Sequence, residues 1–258
     1  FGLGYDGIKP PLIRHFDPDL IPFLQCCARA QQKTLAVDAL EKEAWRVRAV
    51  ECQPGDATRV LNACLADLEK ARTVPEIRAC ARTFKPRFRE VPIDVTRPPL
   101  RIGLLGEATL LRDRYLNHNL EELLGGLGAE VRNFFLLGDE MRNIFRIGLF
   151  SRNSRWRLER LARPYLENLV GGHALDSVAH ALRCAEEGYD GIVHVAPAGC
   201  MPEVSVRPIL RRISQDLDLP VLECSFDEHS SHVGLVTRLE AFVSVLRERQ
   251  EQKARTWK

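Results

Sequence analysis

The sequence predicts an α/β protein, a Rossmann-like and mostly parallel sheet flanked by helices, with a helical N-terminal segment ahead of it. Three observations carry that reading. From about residue 96 onward, compact apolar runs alternate with amphipathic stretches, the order expected of a parallel sheet covered by helices. Before that point, apolar residues recur at three- and four-residue intervals, the period of helices. Between the two, "KPRFREVPIDVTRPP" (85–99) carries four prolines and reads as a linker. The chain divides accordingly into an irregular and helical segment, 1–95, and a Rossmann-like domain, 96–258, with no internal repeat.

Each element has its own signal. Residues 1–35, with "KPP" at 9–11, read as irregular, and "VDALEKEAWRVRAVE" (37–51) as a helix. "DATRVLNACLADLEKART" (56–73) reads as a second helix, capped by the Asp56 carboxylate. Pro75 and Glu76 open a third, with proline in the position a helix tolerates best. "LRIGLLGE" (100–107) is a strand ending in glycine. "LNHNLEELLGGLG" (116–128) is a helix capped through Asn117 and Asn119 and stopped by glycine, and "AEVRNFFLL" (129–137) is the second strand. Helices at about 154–170 and 174–187 precede the strand "GIVHVAP" (191–197). A helix from Pro202 to Asp216, the strand "PVLECSF" (220–226) and a final helix over 234–252 complete the order.

Composition narrows the function classes. Of 258 residues, 45% are apolar and 28% charged, as in an ordinary globular protein. Thirty-seven basic against 35 acidic side chains leave a net charge of +2, too little to steer the chain toward nucleic acid or membrane. The basic run 151–163 reads as the solvated face of a helix. No apolar run approaches the roughly 20 residues of a membrane span, and nothing resembles a signal peptide. The chain begins "FGLGYDG" without an initiator Met, so an upstream part is one expectation. The eight cysteines form no CxxC pair and match neither a zinc module nor a disulfide scaffold, which points to reduced thiols and a cytoplasmic setting.

In sheets of this kind ligands gather outside the carboxyl ends of the strands. Four loops there are rich in Gly, His, Asn, Asp or Glu: 106–119, "VGGHALDS" (170–177), "PAGCMPE" (197–203) and "FDEHSSHVG" (226–234). Cys200 stands just before a helix N-terminus, whose partial positive charge favours the thiolate that ligates metal or attacks an electrophile. Its bland alternative is a small residue packed under the loop. Gly199 lets the backbone approach a bulky group, and Gly171, Gly172 and His173 open a helix whose N–H groups can hold an anion. An ordinary glycine-assisted cap explains the same residues. Asp227, Glu228, His229 and His232 group closely enough to bind a metal, or to orient a ligand and transfer protons. A zinc enzyme lacks its helical HExxH here. His194, inside a strand, reads as a core histidine, and Cys224 offers a second thiol beside Cys200.

"GGHALDSVAHALRCAEEGYDGIVHVAPAGCMPE", "ILRRISQDLDLPVLECSFDEH" and "TRLEAFVSVLRER", with "IGLLGE" and "NHNLEELLGGLGAEV" earlier, resemble the 2-hydroxyacyl-CoA dehydratase D-component family. The likeness is greatest to its activase-related and double-cubane-cluster-like branch and covers about 100–250. It implies an iron–sulfur protein of Rossmann-like domains, fed low-potential electrons by an ATP-dependent activase of the actin/Hsp70 superfamily. It implies further that Cys200 ligates a 4Fe–4S or double-cubane cluster, lined by Gly171, Gly172, His173 and Gly199. Glu203, Asp227, Glu228 and His229 would supply hydrogen bonds or protons to the reductase or dehydratase chemistry.

Two departures stand beside the resemblance. No cysteine motif in 1–95 matches the family's further cluster ligands, so the cluster would be shared with another domain or chain, in a homo- or hetero-oligomer. The family's "TGEAG"-like loop is "SSHVG" here, placing His232 near the site. Two alternatives remain: a non-catalytic partner subunit, and a metal-free acyl-CoA or nucleotide binder.

Overall fold

A computed structural model describes residues 20–96, 98–138, 152–168 and 170–256. Four strands form its sheet: β1 (Leu100–Gly106), β2 (Ala129–Asn133), β3 (Gly191–Pro197) and β4 (Val221–Phe226). They lie in the order β2-β1-β3-β4, all parallel. Leu104 pairs with Asn133 on one side and Val193 on the other, while Val195 pairs with Cys224. Parallel strands need helical crossovers, so both faces are covered, and β1 and β3 are apolar nearly throughout.

Alternation along each strand sorts the side chains into two layers. Leu100, Ile102, Leu104, Val131, Val193, Val195 and Cys224 pack against α4 (Ala108–Arg112), α5 (Leu120–Gly126) and α9 (His232–Thr256). Leu105 and Ile192 face α6 (Arg152–Ala162), α7 (Ala174–Glu186) and α8 (Met201–Asp216). Each fully buried Leu, Ile or Val is worth about 1.5–3 kcal/mol, so these layers dominate the fold's stability.

Ahead of the sheet, α1 (Leu20–Arg48), α2 (Asp56–Lys70) and α3 (Val74–Arg89) form a third core around Leu40, Leu61, Ile77 and Phe88. This layer is tied to the sheet domain. The Trp45 indole N–H donates to Glu121 Oε2 at 2.7 Å, and the Arg48 stem fills the space where Gly125 lacks a side chain.

The helical layer departs from expectation in three places. α1 begins at Leu20, inside the stretch expected to be irregular, because residues 21–30 bury no side chain and so show no periodicity. Lys33 and Arg78 tether that arm, the first to the Glu69 carbonyl and the second to Gln32. The expected linker is helical through Arg89, with Pro86 inside α3. Asp56 is not the cap of α2. Gly55 holds that place in a left-handed turn, and Glu51 accepts the N–H groups of Gly55 and Ala57. By contrast Thr73 and Glu76 form a full capping box on α3. The KPP stretch at 9–11, residues 139–151 and Leu169 lie outside the described residues, as does the N-terminal stretch to residue 19. Among the described residues no helix is long and apolar enough to cross a membrane.

Candidate functional site

β1 runs out toward β2 on one side and β3 lies on the other, so the sheet's switch point falls between the exits of β1 and β3. The two strands close tightly there. A Cβ on Gly106 would collide with the Val195 carbonyl oxygen, and the Glu107 N–H donates to that oxygen at 3.0 Å. Glu107 then caps α4, accepting the N–H groups of Thr109 and Leu110. Burial pushes its carboxyl up, but those bonds, the Thr109 hydroxyl and the charge of His173 outweigh it and hold Glu107 below the usual carboxylate range.

The β3 exit carries the thiol. Gly199 takes a left-handed φ of +80° with open space where a side chain would be. Cys200 follows, half-buried, as the N-cap residue of the 16-residue helix α8, and its side chain makes no capping bond. Gly172, also left-handed, packs on the Pro202 ring. That contact joins the Gly171–Gly172–His173 turn at the start of α7 to the Cys200 turn at the start of α8. Two helix N-termini thus meet beside one thiol, an arrangement whose unpaired N–H groups attract an anion. The His173 ring meets Phe135 edge-on at 4.8 Å.

Beneath this turn lies a buried polar cluster. Glu203 Oε2 lies 2.8 Å from His194 Nε2 and accepts from the Ser177 hydroxyl at 3.0 Å. His194 is 0% exposed and Glu203 1%. Among the described residues His194 Nδ1 and Glu203 Oε1 have no hydrogen-bond partner. Glu203 therefore pins the first turn of α8 to β3 and α7 from below, and His194 is the core histidine the strand pattern suggests.

Asp227, Glu228 and His229 follow β4, whose last carbonyl accepts the Ala198 N–H at 2.8 Å, so their turn adjoins the thiol loop. Within it Asp227 Oδ1 accepts the His229 N–H and the Ser230 hydroxyl, while Glu228 and His229 are exposed. Asp227 shapes the turn. His232 meets His118 edge-on at 5.9 Å, and His118 leans on Phe226. Cys224 does not join Cys200 at the loop. It lies in the layer facing α5 and α9, where burial pushes its thiol up to about 11. Cys184, buried on the other face, is pushed up to about 12, burial being the main cause. Among the described residues no three His, Cys, Asp or Glu side chains are placed to hold a metal ion.

A second concave region draws on the 106–119 loop, but its α1 half carries no sequence signal. A cavity of about 300 Å³ lies between α1 and the carboxyl ends of β1 and β2. Lys33, Asp38 and Glu41 come from α1, Arg112, Arg114 and Glu121 from the β1–β2 crossover, and Asn133 and Phe135 from the end of β2. Burial, reinforced by the charge of Glu121, pushes the Glu41 carboxyl up to about 7. Its contributors from α1 and from the later segments lie 70 to 104 residues apart, so no local motif joins them. Comparison with protein-family models gives no match for this chain, and comparison with curated proteins gives none either.

Proposed function

We propose that the Cys200 turn is one half of an iron–sulfur site, in a component of an ATP-coupled low-potential reductase or dehydratase. One observation carries the reading: Cys200 is a half-buried thiol beyond the β3 exit at the switch point, the N-cap residue of α8, in a turn joined to the glycine turn of α7 through Pro202 and Gly172. Among the described residues the donor set at this turn fits a single ligand, Cys200. A 4Fe–4S cube commonly takes four cysteines, whereas Cys224 and Cys184 are buried in opposite core layers. The remaining ligands belong to another domain or chain in this reading, and no chemical step is assigned to the cluster.

This chain's own residues have separable tasks. Gly171 and Gly199 keep the approach open, Gly172 lets the α7 turn pack on Pro202, and the starts of α7 and α8 offer N–H groups to a negatively charged group. Glu203, held by His194 and Ser177, fixes the direction of α8 and so of Cys200. The test is iron analysis and absorption spectroscopy of anaerobically purified protein, alone and with its co-purifying partners. Bound iron with sulfide-to-iron absorption, lost in Cys200→Ala with assembly intact, supports the reading. Iron unchanged by that substitution, or no iron in either preparation, removes it.

The paired helix N-termini favour a second reading, a metal-free binder of an anionic ligand such as an acyl-CoA or nucleotide phosphate. It requires coenzyme A or a nucleotide to bind iron-free protein, with Cys200→Ala leaving the affinity unchanged.

A further inference from the structure

We infer that the cavity between α1 and the β1–β2 crossover is a binding site for a small α-amino acid with an apolar side chain. The site does not include the Cys200 turn, which it meets only where Phe135 packs on His173, and it is independent of the iron–sulfur reading. Its polar lining is largely committed to the fold. Glu121 accepts from Trp45 and Asn133, and Asp38 accepts the Gly138 N–H at 2.7 Å. Lys33 donates to the Glu69 carbonyl, and the Asn117 and Asn133 amides donate to the Leu110 and Leu111 carbonyls.

Glu41 and Arg114 are different. They face each other across 3.6 Å, longer than a charge-assisted hydrogen bond, and Arg114 is divided between Glu41 and Glu122 at the same distance. A loose pair of opposite charges at the mouth of a cavity is the complement of a zwitterion. An ammonium group seats against Glu41, and the carboxylate on the neighbouring carbon seats against Arg114, with Arg112 on the same rim. The side chain then meets an apolar wall formed by Val37, Leu111, Phe135, Leu136 and Leu137. The volume, about 300 Å³, is at the small end of ligand cavities and suits a compact molecule.

The charges facing Glu41 are Asp38 on its own helix, Glu121 on α5, Arg112 at the end of α4 and Arg114 in the α4–α5 loop, with Lys33 at the rim. Burial and the two carboxylates keep it protonated to about pH 7. An ammonium ligand requires the ionised form, so binding expels the Glu41 proton. Affinity must then rise with pH, by about tenfold between pH 6 and pH 8.

The experiment is titration of the full chain with L-norleucine, followed by saturation-transfer NMR and calorimetry. Hexanoate, which lacks the ammonium, and n-pentylamine, which lacks the carboxylate, are its controls. L-norleucine is expected to bind at least tenfold more tightly than either control. Glu41→Gln should weaken it at least tenfold and flatten its pH dependence, while Arg114→Gln should reduce it to the level of pentylamine. Thermal melts of both variants establish that they are folded. Absence of saturation transfer to L-norleucine, hexanoate binding as tightly as norleucine, or a folded Glu41→Gln variant with undiminished affinity would each overturn the inference.

Discussion

Cys200, just past the end of β3, and Cys224, within the neighbouring parallel strand β4, are separated by little more than one crossover, yet they occupy opposite chemical worlds. Cys224 sits within β4, paired with Val195 and sealed between the sheet and α9, where burial pushes its thiol up to about 11. Cys200 lies three residues beyond β3, half-buried, between an open left-handed glycine and the first turn of α8. The difference comes from where the strand ends. A cysteine inside a parallel strand is a small apolar side chain in a layer, whereas one just past the carboxyl end stands where helix dipoles and loops converge.

The sharpest way to break this contrast is by thiol reactivity. Iodoacetamide should label Cys200 in the native protein while Cys224 and Cys184 are protected by a factor of about 1,000 or more, losing protection together on unfolding. Peptide mass spectrometry over a time course reads this directly. Comparable native labelling of Cys224 would show that β4 is not sealed.

A second test asks whether the open turn depends on the closed interior below it. Glu203→Ala removes the shared partner of buried His194 and Ser177 and should cost about 3–5 kcal/mol in urea denaturation. Glu203→Gln retains an acceptor for Ser177 and should cost less.

The third concerns proton uptake in the two halves of the molecule. His180, stacked on Phe134 at 4.7 Å, is pushed down to about 4, chiefly by burial and then by Arg183 and Arg132. The unfolded chain binds its proton near pH 6.5 and the folded chain does not. His180 therefore makes stability rise with pH between about 4 and 6.5, by up to about 3 kcal/mol before solvent screening reduces it. Glu41 acts oppositely. Its folded-state value of about 7 makes stability fall as pH rises from about 4.5 to 7. The two slopes oppose each other in the native chain, so Glu41→Gln should expose the rise and His180→Asn the fall in Tm between pH 4.5 and 6.5. The smallest expected effect is at Gly199. Alanine there meets open space and bears only the left-handed backbone penalty, about 1–2 kcal/mol.

Much of this architecture was legible because each strand is short, apolar and bounded by turn residues. The period change near residue 96 separated the helical layer from the sheet, and the loops at 170–177 and 197–203 do meet, through Gly172 and Pro202. Legibility failed where burial left no periodic trace. The exposed start of α1 shows no stripe, and Pro86 is carried inside a helix anchored on both sides by Phe84 and Phe88. The Glu41 cavity escaped for another reason. Its carboxylates and guanidinium come together only when α1 docks on the β1–β2 crossover, and separate helices carrying such charges look like ordinary solvated faces.

The Trp45–Glu121 bond gives that docking an optical signature. Trp45 is buried and donates its indole N–H to a carboxylate across the junction of the two layers, whereas Trp156 is 52% exposed. With Trp156 and Trp257 replaced by phenylalanine, the remaining emission would come from the seam alone. Its wavelength would shift to the red when the helical layer lifts away, and would stay fixed while the sheet's outer helices fray.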